Sequence, residues 1–136
     1  MALLVDTSVW SLAYRRDTPP DVPEVDVLRQ ALGSGDSVVA TGMILLELLR
    51  GFVPAKAQAI ILEAFDSLQL IEPTRLDYVE AASVANTCRR AGVQIGSVDA
   101  LLAQLTRAGD HTLLTTDHDF FLAAPHVGLR VWRRPG

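Results

Sequence analysis

Short apolar runs alternating with stretches of helical punctuation predict an α/β fold, a short and mostly parallel five-stranded sheet flanked by helices. Two observations carry the prediction. The runs are too short for helices, and the first two, Leu3-Leu4-Val5 and Val38-Val39-Ala40, are continuously apolar, as strands buried on both faces must be. Between the runs stand capping residues and Gly or Pro breaks at helical spacing.

The elements follow in order. Leu3-Leu4-Val5 reads as the first strand, and a short helix is expected from Ser8 to about Tyr14 with Ser8 as its cap. Arg16 to Pro23 is a loop, because its three prolines forbid regular structure. A helix from about Glu24 to Leu32 stops at Gly33-Ser34-Gly35, and Ser37 to Ala40 forms the second strand. Thr41 caps a helix that runs to Arg50 and ends at Gly51. Pro54 suits the first turn of another, running to about Leu68. Gln69 to Glu72 is the third strand, closed by Pro73. Thr74 with Asp77 makes a near capping box for a helix that reaches Gly92. Ser97 caps the next helix, which ends at Ala108-Gly109. Thr112 to Thr115 and Gly128 to Trp132 are the fourth and fifth strands. No repeat, linker or low-complexity stretch divides the chain, so residues 1–136 are expected to form one domain.

Composition sets bounds without naming a function. With 49% hydrophobic residues and a mean hydropathy of +0.25, the chain is expected to be compact and ordered. No apolar run approaches the roughly 20 residues of a membrane span; the richest, Met43 to Leu49, is broken by Glu47. The N-terminal residues carry no basic lead-in or small-residue cleavage site, and a lone Cys88 suits a reducing compartment, so a cytoplasmic protein is expected. A net charge of −4 disfavours a nucleic-acid partner at first reading. That objection weakens if several acids are sequestered around metal, since the remaining surface is then close to neutral. Eleven of the twelve cationic residues are Arg, with Lys56 the exception; this is read as genomic base composition.

The informative residues are acids pressed against apolar sequence: Asp6, Glu47, Asp99, Asp117 and Asp119. Carboxylates are rarely buried without a partner, and a cluster of them repels itself unless a cation neutralises it. Oxygen ligands without Cys or clustered His select Mg²⁺ or Mn²⁺ over zinc. His118 is read as an exposed loop residue and Cys88 as buried packing. Each acid also has an ordinary explanation. Asp6 can cap a helix, Asp99 gains from a helix N-terminus, Asp117 and Asp119 can be loop acids, and Glu47 can pair with Arg50. The argument for a shared site is positional. Asp6 and Asp117 follow the first and fourth strands, and if those strands are neighbours the two acids meet at the carboxyl edge of the sheet.

Four segments carry a resemblance: Val5-Asp6-Thr7-Ser8 with Trp10 beyond, Leu46-Glu47-Leu48-Leu49-Arg50-Gly51, Val98-Asp99-Ala100-Leu101-Leu102-Ala103, and Leu114-Thr115-Thr116-Asp117-His118-Asp119-Phe120. Each is short, but in this order and spacing, from Leu3 to Phe120, the chain resembles the PIN-domain proteins and within them the bacterial VapC-type toxins. The resemblance implies a PIN-like three-layer sandwich. Asp6, Glu47, Asp99 and Asp117 match the family's acidic quartet, Asp119 a further acid, and Thr7 and Thr115 small polar positions beside the site. It implies a metal-dependent endoribonuclease, with Asp6, Asp99 and Asp117 holding Mg²⁺ or Mn²⁺ and Glu47 and Asp119 orienting water or holding a second ion. The implied substrate is tRNA or rRNA. The implied partners are a cognate VapB-type antitoxin presenting an Arg to the acids, and a second copy in a homodimer or higher toxin–antitoxin assembly. No membrane partner is expected. Arg50, Arg15 and Arg16 are the leading candidates for antitoxin or RNA contact, with Arg89, Arg90, Arg133 and Arg134 behind them. The surface around Trp10 and from Val53 to Leu68 is the candidate dimer interface.

Two other classes compete. An α/β phosphatase or phosphotransfer domain with an acidic Mg²⁺ site would want an Asp where Ser8 stands, or a Lys past its last strand, yet the sole Lys is Lys56. A non-catalytic binding module of the same fold would have less reason to keep all five acids.

Overall fold

The computed structural model describes residues 2–19 and 21–136, so Pro20, within the predicted loop, lies outside it. Strands β1 (Leu3–Val5), β2 (Val38–Thr41), β3 (Gln69–Ile71) and β4 (Thr112–Leu114) form one parallel sheet in the order β3-β2-β1-β4. Helices α1 (Thr7–Tyr14) and α2 (Pro23–Ser34) lie between β1 and β2, and α3 (Gly42–Gly51) and α4 (Ala55–Asp66) between β2 and β3. The chain then passes through α5 (Arg75–Arg90) and α6 (Ser97–Ala108) before re-entering at β4 on the far side of β1, and α7 (His118–Val127) follows. Right-handed crossovers explain the layers. Two steps in one direction put α1 to α4 on one face, and the reversed step to β4 puts α5 and α6 on the other. The contacts agree: α1 touches α2 and α3, and α5 touches α6 and α7.

The predicted fifth strand is reduced to one bridge. Val131 pairs with Leu113, through Leu113 N–H to Arg130 O at 2.9 Å and Trp132 N–H to Leu113 O at 2.8 Å. Beyond it the tail turns away, because Arg134 is tied to Glu24 of α2 by two hydrogen bonds of 2.9 Å. The sheet therefore has four strands.

Local chemistry explains the helix starts. Thr41 Oγ1 accepts from Ile44 N–H at 3.1 Å, and Thr74 and Asp77 form the full capping box of α5. Ser8 and Ser97 do not cap. Asp6 takes the cap of α1 and Gly96 that of α6, since each serine already lies within the helix. The core includes Leu3, Leu4, Val39, Ile44, Leu48, Leu113 and Phe120, all at most 2% exposed. Trp10 belongs there too, 1% exposed and tilted against Phe65 at 4.8 Å, so it cannot form a dimer surface. Cys88 is fully buried, as expected. Among the described residues no helix is long and apolar enough to cross a membrane.

Candidate functional site

The sheet order makes β1 and β4 neighbours with Val5 level with Leu114, so Asp6 and Thr115 leave the carboxyl edge side by side. This is the switch point in strand order, where open α/β sheets leave a crevice. Asp6 is 8% exposed and is held by donors on every side. Its Oδ1 accepts from Thr7 N–H at 2.9 Å, and its Oδ2 accepts from Ser8 Oγ at 2.9 Å and Thr115 Oγ1 at 2.8 Å. The same Thr115 oxygen accepts from Asp117 N–H at 3.0 Å, and Asp117 Oδ1 accepts from Asp119 N–H at 3.0 Å, which starts α7. One hydroxyl thus links the ends of both strands and fixes the turn that carries two further acids.

Glu47 reaches the same place from α3. It does not pair with Arg50; its Oε1 accepts from Thr7 Oγ1 at 2.8 Å. Asp99 enters from the first turn of α6. Asp6, Glu47 and Asp99 line one cleft of about 190 Å³ with Met43, Tyr78 and Leu102 on its apolar side. Glu72, just past β3, lines it as well. Glu72 ends the predicted third strand, and its place at a strand's carboxyl end is the same signal that marks Asp6; Ser8, which follows an acid, reads locally as a cap and gives no sign of the site.

The charges act on one another. Burial pushes the Asp6 carboxyl above its ordinary 3.8, overcoming the opposing hydrogen bonds from Thr115, Ser8 and Thr7, and the charge of Asp117 adds to the rise. Asp99 is raised from 3.8 to about 6, first by burial and then by the charges of Asp6, Asp117, Glu47 and Asp119. All five predicted acids therefore share one electrostatic site. No cation balances it: among the described residues the ion pairs are Arg15–Asp17, Arg130–Asp110 and Arg134–Glu24. Arg15 and Arg16 stand at the far end of α1 in a separate cleft with Phe52 and Lys56, which removes them from the immediate surroundings of the acids.

Among the described residues, no three His, Cys, Asp or Glu side chains close into a finished metal cage. The donor set nonetheless fits a hard divalent ion. Its members are carboxylates and hydroxyls, its charge is unbalanced, and Asp99, raised first by burial and then by its acidic neighbours, is a carboxylate that such an ion would favour in its charged form.

The PIN domain family model matches residues 3–125, most of the chain and every acid described above. The chain is a PIN-domain protein. Among curated relatives, Ribonuclease VapC23 of Mycobacterium tuberculosis is 31% identical over 119 residues, spanning 85% of this chain and 93% of the relative, which places this PIN-domain protein in the VapC group. Its fold is similar to VapBC2 from Rickettsia felis, solved bound to a DNA fragment from their promoter, with a TM-score of 0.75 at 18% identity over 97% of this chain and 98% of that one. It is also similar to Mycobacterium tuberculosis VapC20, described as a Sarcin-Ricin loop cleaving toxin, with a TM-score of 0.68 at 20% identity over 95% and 99% of the two chains.

Proposed function

We propose that this PIN-domain protein is a metal-dependent endoribonuclease, the toxin of a VapBC-type toxin–antitoxin pair, and that the whole chain acts as one domain. The observation that carries the reading is the convergence of uncompensated carboxylates on the carboxyl edge of the sheet, in a chain 31% identical to a ribonuclease. Asp6 and Asp99, with Asp117 beside them, are the residues to hold Mg²⁺ or Mn²⁺. The ion supplies charge neutralisation and Lewis-acid polarisation of the scissile phosphate. Thr115, Ser8 and the Thr7 N–H donate to Asp6 and fix the orientation of its carboxylate. Thr7 holds Glu47 facing the cleft, where it orients the attacking water and takes its proton; Asp119 supports it from α7. No side-chain nucleophile is required.

Resemblance supports a structured RNA of the translation machinery, tRNA or rRNA, as substrate. VapBC complexes among the similar folds support a VapB-type antitoxin as partner. Such a partner would inhibit by placing an Arg against the acids in place of metal charge. The exposed Val53, Ile60 and Leu62, at 77%, 50% and 45%, are the surface proposed for a homodimer, without Trp10.

The test is cleavage of total RNA by partner-free protein in Mg²⁺ or Mn²⁺, then in EDTA, with Asp6→Asn and Asp99→Asn alongside. The expected result is metal-dependent cutting reduced about a thousandfold in either variant, equivalent to several kcal/mol of transition-state stabilisation. Wild-type cutting by a folded Asp99→Asn protein would overturn the site assignment.

A further inference from the structure

The C-terminal tail brings a cation to the acidic site that neither the motifs nor the acid cleft contains. The single bridge Leu113↔Val131 brings the tail beside β4, and two residues beyond it Arg133 lines a cleft together with Thr115, which leaves the carboxyl edge beside Asp6. The neighbouring Arg134 donates from Nε and Nη2 to buried Glu24, which anchors the tail, while the exposed Arg133 keeps its charge unpaired by any acid among the described residues. The Arg133 guanidinium lies over the Phe121 ring of α7, 5.2 Å from its centroid, a contact that restrains the side chain without consuming its donors. Between tail and helix is an open cleft of about 520 Å³ lined by Arg133, Thr115, Thr116, His118 and Phe121, with the paired Glu24 and Arg134 also on its wall. Thr115 donates to Asp6, so this cleft adjoins the acids through one shared side chain.

We propose that the cleft between the tail and α7 seats a backbone phosphate of the RNA strand flanking the cut, with Arg133 as its phosphate-binding residue. This inference rests on the ribonuclease reading. An acidic centre repels the polyanion it must cut, and an Arg at its margin offsets that repulsion on the substrate. Arg134 lines the same cleft, but its charge is already balanced by Glu24.

The experiment is fluorescence anisotropy of a labelled mixed-sequence RNA with the full chain in EDTA, across a salt series, so that binding is read without cleavage. Arg133→Ala is expected to weaken binding several-fold and to reduce the slope of log affinity against log salt by about one. Arg133→Lys keeps the charge and should retain the slope. Arg107→Ala, which removes the same charge at the opposite end of the sheet, should leave both unchanged; melting curves confirm that each variant is folded. Equal affinity and slope for wild type and Arg133→Ala overturn the inference while the nuclease reading stands. An equal loss in Arg107→Ala also overturns it, because the effect is then one of net charge. A folded wild type that binds no RNA in EDTA overturns the inference alone; the nuclease reading is decided separately by metal-dependent cleavage of total RNA.

Discussion

Two carboxylates are buried among the described residues, Glu24 at 4% and Asp6 at 8% exposure, and they are held in opposite ways. Glu24 meets the guanidinium of Arg134 in a two-pronged pair, and those hydrogen bonds hold its carboxyl below the ordinary 4.5. Asp6 meets only hydroxyls and a backbone N–H, its nearest charges are other acids, and burial drives it above 3.8. Both sites obey the rule that a buried charge must be hydrogen-bonded. They differ in whether the charge is balanced within the chain. At Glu24 it is, and the result is an anchor for the tail. At Asp6 it is not, and the imbalance is what a metal ion, or a partner's Arg, can complete. Burial alone is therefore a poor marker of function, and a buried acid without a cation is a better one.

The comparison is broken most forcefully at the balanced end. Arg134→Ala leaves Glu24 buried and unpaired, and should give the largest loss of stability of the three changes, though less than breaking a wholly buried pair because Arg134 is itself 61% exposed. The folded Glu24 value lies below 4.5, so its stabilisation is present above that value and is lost as pH falls through the folded one. The deficit, read by urea unfolding, should be full at pH 7, shrink in acid and ignore Mg²⁺. A deficit that Mg²⁺ repairs would show that the two carboxylates are not independent.

At the unbalanced end the sign reverses. The folded Asp99 value of about 6 lies above the unfolded 3.8, so ionising it costs stability; the cost is absent below 3.8 and complete above about 6. Metal-free Asp99→Asn should accordingly be more stable than wild type at pH 7, by about 1–2 kcal/mol after discounting for solvent screening, and equal to it near pH 4. Mg²⁺ should raise the wild-type Tm and leave that of the variant nearly unchanged. A metal-free variant less stable than wild type at pH 7 would mean that Asp99 is held by favourable contacts and is not strained by its neighbours.

Thr115→Val sharpens the comparison with the smallest change. It keeps the shape and removes the hydroxyl that donates to Asp6 and accepts from Asp117 N–H. The expected cost is about 1 kcal/mol. Because that hydrogen bond lowers the Asp6 value, the acid limb of the cleavage profile should move to higher pH. An unmoved limb would reduce Thr115 to a structural link.

Much of this was legible in the chain because it is local. Capping oxygens, Gly stops and short apolar runs place β1 to β4 and most of the helices, and the Thr74–Asp77 box forms as its spacing predicts. The misreadings arise where a nearby residue competes for the same local role. Ser8 and Asp6 are both good caps, and only the donor network around β4 decides that Asp6 takes the cap while Ser8 serves it. Glu47 sits within helical reach of Arg50, yet Thr7, forty positions away in sequence, is its partner. Trp10 reads as an interface aromatic until Phe65 is seen packed against it. Gly128 to Trp132 has strand character, but one bridge is all it forms once Arg134 draws the tail to Glu24.

Which residues are acids, their order, and that two of them follow buried strands can be read along the chain, because apolar patterning and caps act over a few residues. The chain also carries the family, since the four short motifs keep their spacing from Leu3 to Phe120. The strand order β3-β2-β1-β4 was decided only by the tertiary structure, and that order makes β1 and β4 neighbours and gathers acids from both strand ends, α3 and α6 into one field. The tertiary structure also divided the arginines, sending Arg15 and Arg16 away from the site, tying Arg134 to a buried acid and bringing Arg133 to the site's margin. The physical reason is range. Hydrogen-bonded turns and caps are settled between near neighbours, whereas charge repulsion and balance depend on distances in space that only the packed sheet sets.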